Sequence, residues 1–250
     1  MENKVYLITG ASSDIGLTFI KCLEKQFVAE GKKAVVFAHY AFHAERLLKL
    51  QSEVQALEVI PVQADLSKAE DIKRLVEAVQ RQGNCPDYMI HLPAAKLAYN
   101  RIKQFSAESL EQDMAIQVES LGALAQAFLP AMAKRKSGKV VVMLSSVTLG
   151  MPPKFMSRYV TVKYALLGLM KSLAAEYADK GVNINGISPN MMETQFLEQI
   201  DEKIVEMNRE NCAMKRNVKV EETVAAIQFL LSNGAGYMNG VNLNLSGGDK

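Results

Sequence analysis

Cysteine is scarce in this chain: Cys22, Cys85 and Cys212 are the only three in 250 residues, and no Cys-x-x-Cys pattern occurs. An odd, scattered set of thiols argues against a disulfide framework or a cysteine zinc site and fits a reducing cytoplasm. Net charge is scarce too. The 29 basic and 27 acidic side chains leave +2, too little to make nucleic acid or a membrane surface the main partner. No apolar run approaches the roughly 18 residues that a membrane span needs. The segment MENKVYLITG holds no apolar stretch of the length a secretory signal requires. Linkers, repeats and low-complexity tracts are also missing. Residues 1–250 therefore read as one cytoplasmic domain, with no nucleic acid and no membrane among its partners.

What the chain does contain is an alternation. With 49 % hydrophobic and 22 % charged residues it has an ordinary globular composition and the length to bury a large core. VYLIT, AVVFAH, LEVIPV, YMIHL, KVVVML and VNING are short runs rich in β-branched and apolar residues, as buried parallel strands are. Between them, residues 15–30, 43–55, 68–82, 106–135 and 157–180 carry helical periodicity. Asp65 and Ser67 offer an N-cap for the third helix, and Ser106 with Glu108 and Ser109 opens the fourth. Repeated β-α-β units with right-handed crossovers make an α/β fold: a single-domain, Rossmann-type doubly wound parallel sheet with helices on both faces. In such sheets ligands bind beyond the carboxyl ends of the strands, where the strand order reverses. Functional residues are therefore expected just after each strand.

The first such place reads Thr9-Gly10-Ala11-Ser12-Ser13-Asp14-Ile15-Gly16 and runs into an amphipathic helix. Gly10 permits the tight turn, and Gly16 lets the helix pack closely on the sheet. Amides at the helix start, with the helix dipole behind them, attract a phosphate. Gly10, Ser12, Ser13, Asp14, Ile15 and Gly16 are thus candidate cofactor-binding residues. Asp14 is the oddity. Its carboxylate would repel a phosphate that it faced, but turned outward it would cap the helix.

Tyr-x-x-x-Lys places a phenol and an ammonium one helical turn apart. The spacing occurs twice, at Tyr99/Lys103 and Tyr159/Lys163, so only context separates the pairs. Tyr99 follows the fourth strand in a polar stretch and reads as a solvated helix start. Tyr159 opens a long helix, and Ser146, thirteen residues earlier, ends the strand KVVVMLSS at the binding edge. Ser146 can hold a substrate oxygen while Tyr159 exchanges its proton. A free phenol titrates near pH 10, and a nearby Lys163 cation is expected to lower it by roughly one to three units. That chemistry suits interconversion of an alcohol and a ketone beside a hydride carrier.

Taken together, TGASSDIG, Asp65-Leu66, Ser146, YVTVK, SPNMMET and GYMNGVNLNLSGG resemble the short-chain dehydrogenase/reductase family along essentially the whole chain. Within it the chain is similar to the bacterial β-ketoacyl-carrier-protein reductases. The resemblance implies that Tyr159 is the catalytic acid/base. It implies that Lys163 lowers the pKa of Tyr159 and binds the nicotinamide ribose, and that Ser146 orients the carbonyl. Asp65 and Leu66 would flank the adenine, and Pro93, Ala94, Pro189, Met192 and Thr194 would also touch the cofactor. A homo-oligomer, dimer or tetramer, is implied as well. Four departures stand out: Asp14 for the middle glycine, HLPA at 91–94 for Asn-Asn-Ala-Gly, Gln117 for the relay asparagine, and Asn190 for a glycine. Lys134, Arg135, Lys136, Lys139 and Lys180 lie near the helix ends that receive an acidic carrier protein in those reductases.

Cofactor choice turns on the second strand, which ends Ala38-His39-Tyr40 without an acid. An acid there would repel a 2′-phosphate, so NADP(H) is favoured over NAD(H), with His39 and Tyr40 as hydrogen-bond donors. His39 and His43 share a metal-like spacing but lack a third ligand, and no metal is expected. His91 reads as structural. Met151, Pro152, Pro153, Phe155 and Met156, with Met191, Met192, Phe196 and Leu197, are expected to border an apolar substrate cleft. The leading expectation is an NADP(H)-dependent ketoreductase acting on a small or carrier-bound oxo compound, such as a 3-oxoacyl thioester. The alternatives are a dehydrogenase of a sugar, steroid or other secondary alcohol, and a cofactor-binding subunit with weakened catalysis.

Overall fold

The computed structural model describes residues 3–81 and 85–248. Seven parallel strands form one sheet: β1 (Lys4–Thr9), β2 (Ala34–Tyr40), β3 (Leu57–Gln63), β4 (Tyr88–His91), β5 (Gly138–Met143), β6 (Val182–Pro189) and β7 (Asn242–Leu245). Their order is β3-β2-β1-β4-β5-β6-β7. β1 therefore pairs with β2 on one side, Ile8 opposite Ala38, and with β4 on the other, Thr9 opposite His91. The direction of winding reverses between β1 and β4, and that reversal opens the crevice in which doubly wound sheets hold ligands.

Alternation along each strand divides the core into two layers. Tyr6, Ile8, Val141 and Met143 pack under α1 (Asp14–Glu30), α2 (Glu45–Glu53) and α8 (Val220–Leu231), against Phe19, Ile20, Leu47 and Ile227. Val5, Leu7, Val140 and Val142 face α3 (Ala69–Arg81), α5 (Ser120–Lys134) and α6 (Ser157–Tyr177), against Leu75, Phe128, Leu166 and Met170. Both faces are covered, so the strand interiors carry no polar side. A third, small cluster of Leu97, Val147, Met156 and Leu197 sits apart from these layers.

Ser106 caps α4 (Ala107–Met114) by accepting the Ser109 N–H, as its position suggested. The long helical stretch after it is not uniform. One π-helical turn, Ala115–Glu119, joins α4 to α5 and carries Gln117 at its centre. α7 (Glu202–Asn211), α8 and β7 add elements that the sequence pattern did not mark. No helix among the described residues is long and apolar enough to cross a membrane.

Candidate functional site

The phosphate loop is built as its glycines require. Gly10 takes φ +73°, where a side chain is strained, and a Cβ on Gly16 would come within 2.5 Å of the Ala11 carbonyl oxygen. Ser13 caps α1, its Oγ accepting the Gly16 N–H at 3.1 Å. The other loop amides divide into two sets. Gly10 N–H donates to His39 Nδ1, Ala11 N–H to the His39 carbonyl and Ser13 N–H to the Gly10 carbonyl. The amides of Ser12, Asp14 and Ile15 donate to no protein group and lie where the dipole of a 17-residue helix favours an anion. These residues fit a dinucleotide pyrophosphate.

Asp14 does not cap α1, which Ser13 does; its carboxylate reaches across to Arg46 and the segment after β6. Its Oδ1 accepts from Arg46 Nη2 at 2.6 Å and its Oδ2 from the Gln195 N–H at 2.9 Å, while Arg46 Nη1 reaches Gln195 Oε1 at 2.8 Å. This clasp joins the starts of α1 and α2 to the segment after β6, beside a cavity of about 380 Å³ lined by Asp14, Thr194 and Leu197. The pair is partly solvated, and such pairs contribute only about 0.2–1 kcal/mol. Asp14→Gly is therefore expected to leave dinucleotide Kd within about threefold and to cost little stability. A tenfold change in Kd, in either direction, would mean that the carboxylate acts on the phosphate directly.

Across the crevice, Tyr159 and Lys163 lie on the first two turns of α6. Lys163 is 1 % exposed, and its Nζ lies 5.7 Å from the Tyr159 ring centroid and donates to the Met143 carbonyl at 2.9 Å. Burial dominates both groups. It pushes the Tyr159 phenol up to about 12, against a favourable contact from the Ser145 hydroxyl, with Tyr99 adding to the rise. It brings the Lys163 ammonium down to about 7. The expected lowering of the phenol by a lysine cation is not what the folded chain shows: desolvation raises the phenol and brings the lysine itself down.

Of the two serines, it is the Ser145 hydroxyl that pulls the phenol's pKa down against burial. Ser145 is extended (φ −164°) and buried, and its Oγ accepts the Val147 N–H at 3.4 Å. Ser146, expected from the thirteen-residue spacing, begins the short turn Ser146–Thr148 and is partly exposed. The tyrosine contrast is corrected too. Lys103 is exposed, but Tyr99 packs in the small cluster with Tyr159, Val147 and Met156 and so belongs to the site. The apolar border forms as expected in part. Phe196 approaches Tyr159 at 6.4 Å between ring centroids, and Met191 and Leu197 join the cluster, whereas Met151 is 94 % exposed.

Gln117 is 1 % exposed; its carbonyl accepts from His91 Nε2 at 2.9 Å, and its Oε1 has no protein partner. Asp65 accepts from Ser67 N–H and Oγ–H, which holds its carboxyl below the usual range, and Leu66 is buried behind it. His39 is a correction. Its ring is 2 % exposed and both nitrogens are spent inside the protein, on Gly10 N–H and the Ala64 carbonyl, so it cannot donate to a ribose substituent. Tyr40 remains half-buried at the strand end. Pro93 and Pro189 are buried, Ala94 is exposed, and Thr194 is half-buried. Met192 turns toward α8, where its sulfur accepts from the Thr223 hydroxyl. Asn190 does not adopt positive φ; its Oδ1 accepts the next amide at 2.8 Å. Among the described residues no three His, Cys, Asp or Glu side chains gather as a metal would require.

His91 is fully buried, and its pKa is brought down to about 3, first by burial and further by the Lys163 charge. Burial lowers that of His39 as well. In the unfolded chain both titrate near 6.5. Below pH 6.5 the unfolded state therefore binds protons that the folded state refuses. Stability is full above that pH and falls below it, for His91 down to about pH 3 and by up to about 1.4 kcal/mol per pH unit, with His39 acting in the same direction. Urea unfolding at pH 7 and pH 4.5 is expected to show this loss, and His91→Asn to reduce it. An unchanged slope in that variant would refute the assignment.

A loop with free amides at a helix start, and a half-buried tyrosine beside a buried lysine, on a doubly wound parallel sheet, define a dinucleotide-dependent oxidoreductase. Residues 21–249 match the family model described as Enoyl-(Acyl carrier protein) reductase. The chain belongs to the short-chain dehydrogenase/reductase family of NAD(P)-dependent oxidoreductases. Dehydrogenase/reductase SDR family member 4 of Rattus norvegicus is 29 % identical over 251 residues, spanning 99 % of this chain and 88 % of that protein. The Homo sapiens counterpart is 28 % identical over the same spans. Among solved structures, 4-hydroxyisoleucine dehydrogenase complexed with NADH superposes with a TM-score of 0.85 at 23 % identity, covering 98 % of both chains. YwfH, an NADPH-dependent reductase involved in bacilysin biosynthesis, superposes at 0.86 and 19 % identity, over 100 % of this chain and 99 % of its own.

Proposed function

We propose that the chain interconverts a ketone and a secondary alcohol with NADP(H), on an oxo compound of apolar surface such as a 3-oxoacyl thioester. The observation that carries this reading is the pair of half-buried Tyr159 and fully buried Lys163 on a sheet whose phosphate loop leaves the amides of Ser12, Asp14 and Ile15 free. Those amides would hold the pyrophosphate, Asp65 and Leu66 the adenine, and Lys163 and Thr194 the nicotinamide half. A bound reduced nicotinamide supplies the hydride. A serine hydroxyl at 145 or 146 holds the carbonyl oxygen, and Tyr159, protonated at neutral pH, delivers its proton to that oxygen. Lys163, brought down to about 7, stands ready to take or lose a proton near neutrality. Val147, Met156 and Phe196 make the cleft apolar. For NADP(H), no carboxylate stands at the end of β2 to repel a 2′-phosphate.

Carrier-bound substrate is the weaker part of the reading. Lys136 and Lys180 lie at the amino ends of β5 and β6, about one strand length, roughly 20 Å, from the Tyr159 edge. Arg135 is committed to the Cys85 and Pro86 carbonyls, Lys139 to that of Ser232, and Lys180 rests on the Tyr177 ring. A free small ketone or a coenzyme A thioester needs none of them. The test is titration with NADPH and NADH by nicotinamide fluorescence, then turnover on 3-oxoacyl thioesters, diketones, steroid ketones and sugars. NADPH is expected to bind at least about tenfold more tightly and an apolar oxo compound to turn over. Tighter NADH binding would overturn the cofactor assignment, and no turnover on any carbonyl would overturn the reaction.

A further inference from the structure

Two histidines with no role in proton transfer flank the phosphate loop in matching ways. His39 is the penultimate residue of β2 and His91 the last of β4, the two strands that pair with β1. Each ring places Nε2 2.9 Å from a backbone carbonyl oxygen, Ala64 for His39 and Gln117 for His91. A carbonyl only accepts, so Nε2 carries the hydrogen in both rings. Each Nδ1 is then a bare acceptor. His39 Nδ1 takes the Gly10 N–H at 3.0 Å, and His91 Nδ1 takes the Thr9 hydroxyl at 2.9 Å. The last residue of β1 and the first of the loop are thus each held by a buried imidazole. Exposures of 2 % and 1 % remove water as a competitor for these bonds.

The consequence lies in which amides remain. Gly10 can turn either way without a Cβ to restrain it. Its φ of +73° is set by the bond to His39, and the next amide, Ala11, donates to the carbonyl of the same residue at 2.8 Å. His39 thereby consumes the first two loop amides and leaves those of Ser12, Asp14 and Ile15 for an anion. On the other side, His91 ties Thr9 to the π-helical turn at Gln117, which packs against α6, the helix of Tyr159 and Lys163. We propose that His39 and His91 are positioning residues, His39 aiming the phosphate-loop amides and His91 locking the base of that loop to the turn beside the catalytic helix. This rests on the dinucleotide reading of the site.

The two ring nitrogens can be separated by substitution. Asparagine places an acceptor near the Nδ1 position, and glutamine places a donor near Nε2. Dinucleotide Kd (NADPH and NADH, nicotinamide fluorescence), kcat and KM are measured for His39→Asn, His39→Gln, His91→Asn and His91→Gln, each checked for folding by circular dichroism. His39→Gln is expected to raise cofactor Kd and KM about tenfold with kcat within about threefold, and His39→Asn to recover most of the affinity. At His91 affinity again follows Nδ1, and the Nε2 bond to the turn shows in kcat. His91→Asn keeps Thr9 and the affinity but loses about tenfold in kcat, whereas His91→Gln keeps kcat better than affinity. Equal behaviour of Asn and Gln at both positions in folded proteins would overturn the inference. Wild-type protein that binds neither NADPH nor NADH would instead overturn the dinucleotide reading beneath it.

Discussion

Tyr159→Phe is expected to lower kcat by roughly 10²–10⁴, the usual loss on removing a general acid, while dinucleotide Kd stays within a few-fold. Burial keeps the phenol protonated as the donor, and phenylalanine fills nearly the same space. The cluster with Val147 and Met156 should therefore survive and the fold with it. Because burial holds the phenol near 12, it stays protonated across the neutral range, and carbonyl reduction should show no phenol limb below about pH 10. A limb near 7 is expected instead, activity falling as pH rises and Lys163 loses its charge. Tyr99→Phe is not a neutral control, since Tyr99 packs against Tyr159; Tyr237, fully exposed, is. Comparable turnover in Tyr159→Phe and wild type would remove the mechanism.

Much of this site was legible because chemistry at a sheet edge follows strand ends. Six strands announced themselves as apolar runs, and TGASSDIG and the Tyr159/Lys163 pair fell where the winding rule places ligands. β7 did not, because Asn242 and Asn244 break its apolar pattern and only a paired neighbour makes NLNL a strand. α8 was missed for another reason: VEETVAAIQFLL has too little polar periodicity to stand out, and it is fixed by packing on α1 and β5. Donor and acceptor assignments were the least legible. His39 read as an outward donor until burial and two internal bonds showed its ring fully used. The phenol pKa was read from charge proximity alone, although desolvation, which no linear spacing reveals, is the larger effect. Asp14 could be placed only as one of two orientations, because Gln195, the residue whose amide it accepts, lies 181 positions away.

The serine is the sharpest case, and it carries the second large expected effect. Counting back thirteen residues from Tyr159 selects Ser146; in the folded chain the Ser145 hydroxyl is the one that draws the phenol's pKa down against burial. β5 stays extended through Leu144, whose N–H bonds to the Ile187 carbonyl at 2.8 Å, and Ser145 prolongs it before the chain turns. The Ser145 carbonyl accepts both the Thr148 N–H and the Thr148 hydroxyl, and its Oγ accepts the Val147 N–H, which fix the backbone of the turn around it. Ser146 lies inside that turn and makes no side-chain bond that would hold it toward the crevice. A hydroxyl that steadies charge on a carbonyl oxygen typically contributes about 10²–10³ in kcat. Ser145→Ala is expected to lose that much, with cofactor Kd unchanged, and Ser145→Thr to restore part of it. Ser146→Ala should stay within a few-fold of wild type. The opposite ranking, Ser146→Ala crippled and Ser145→Ala active, would return the role to the residue that the spacing alone selects.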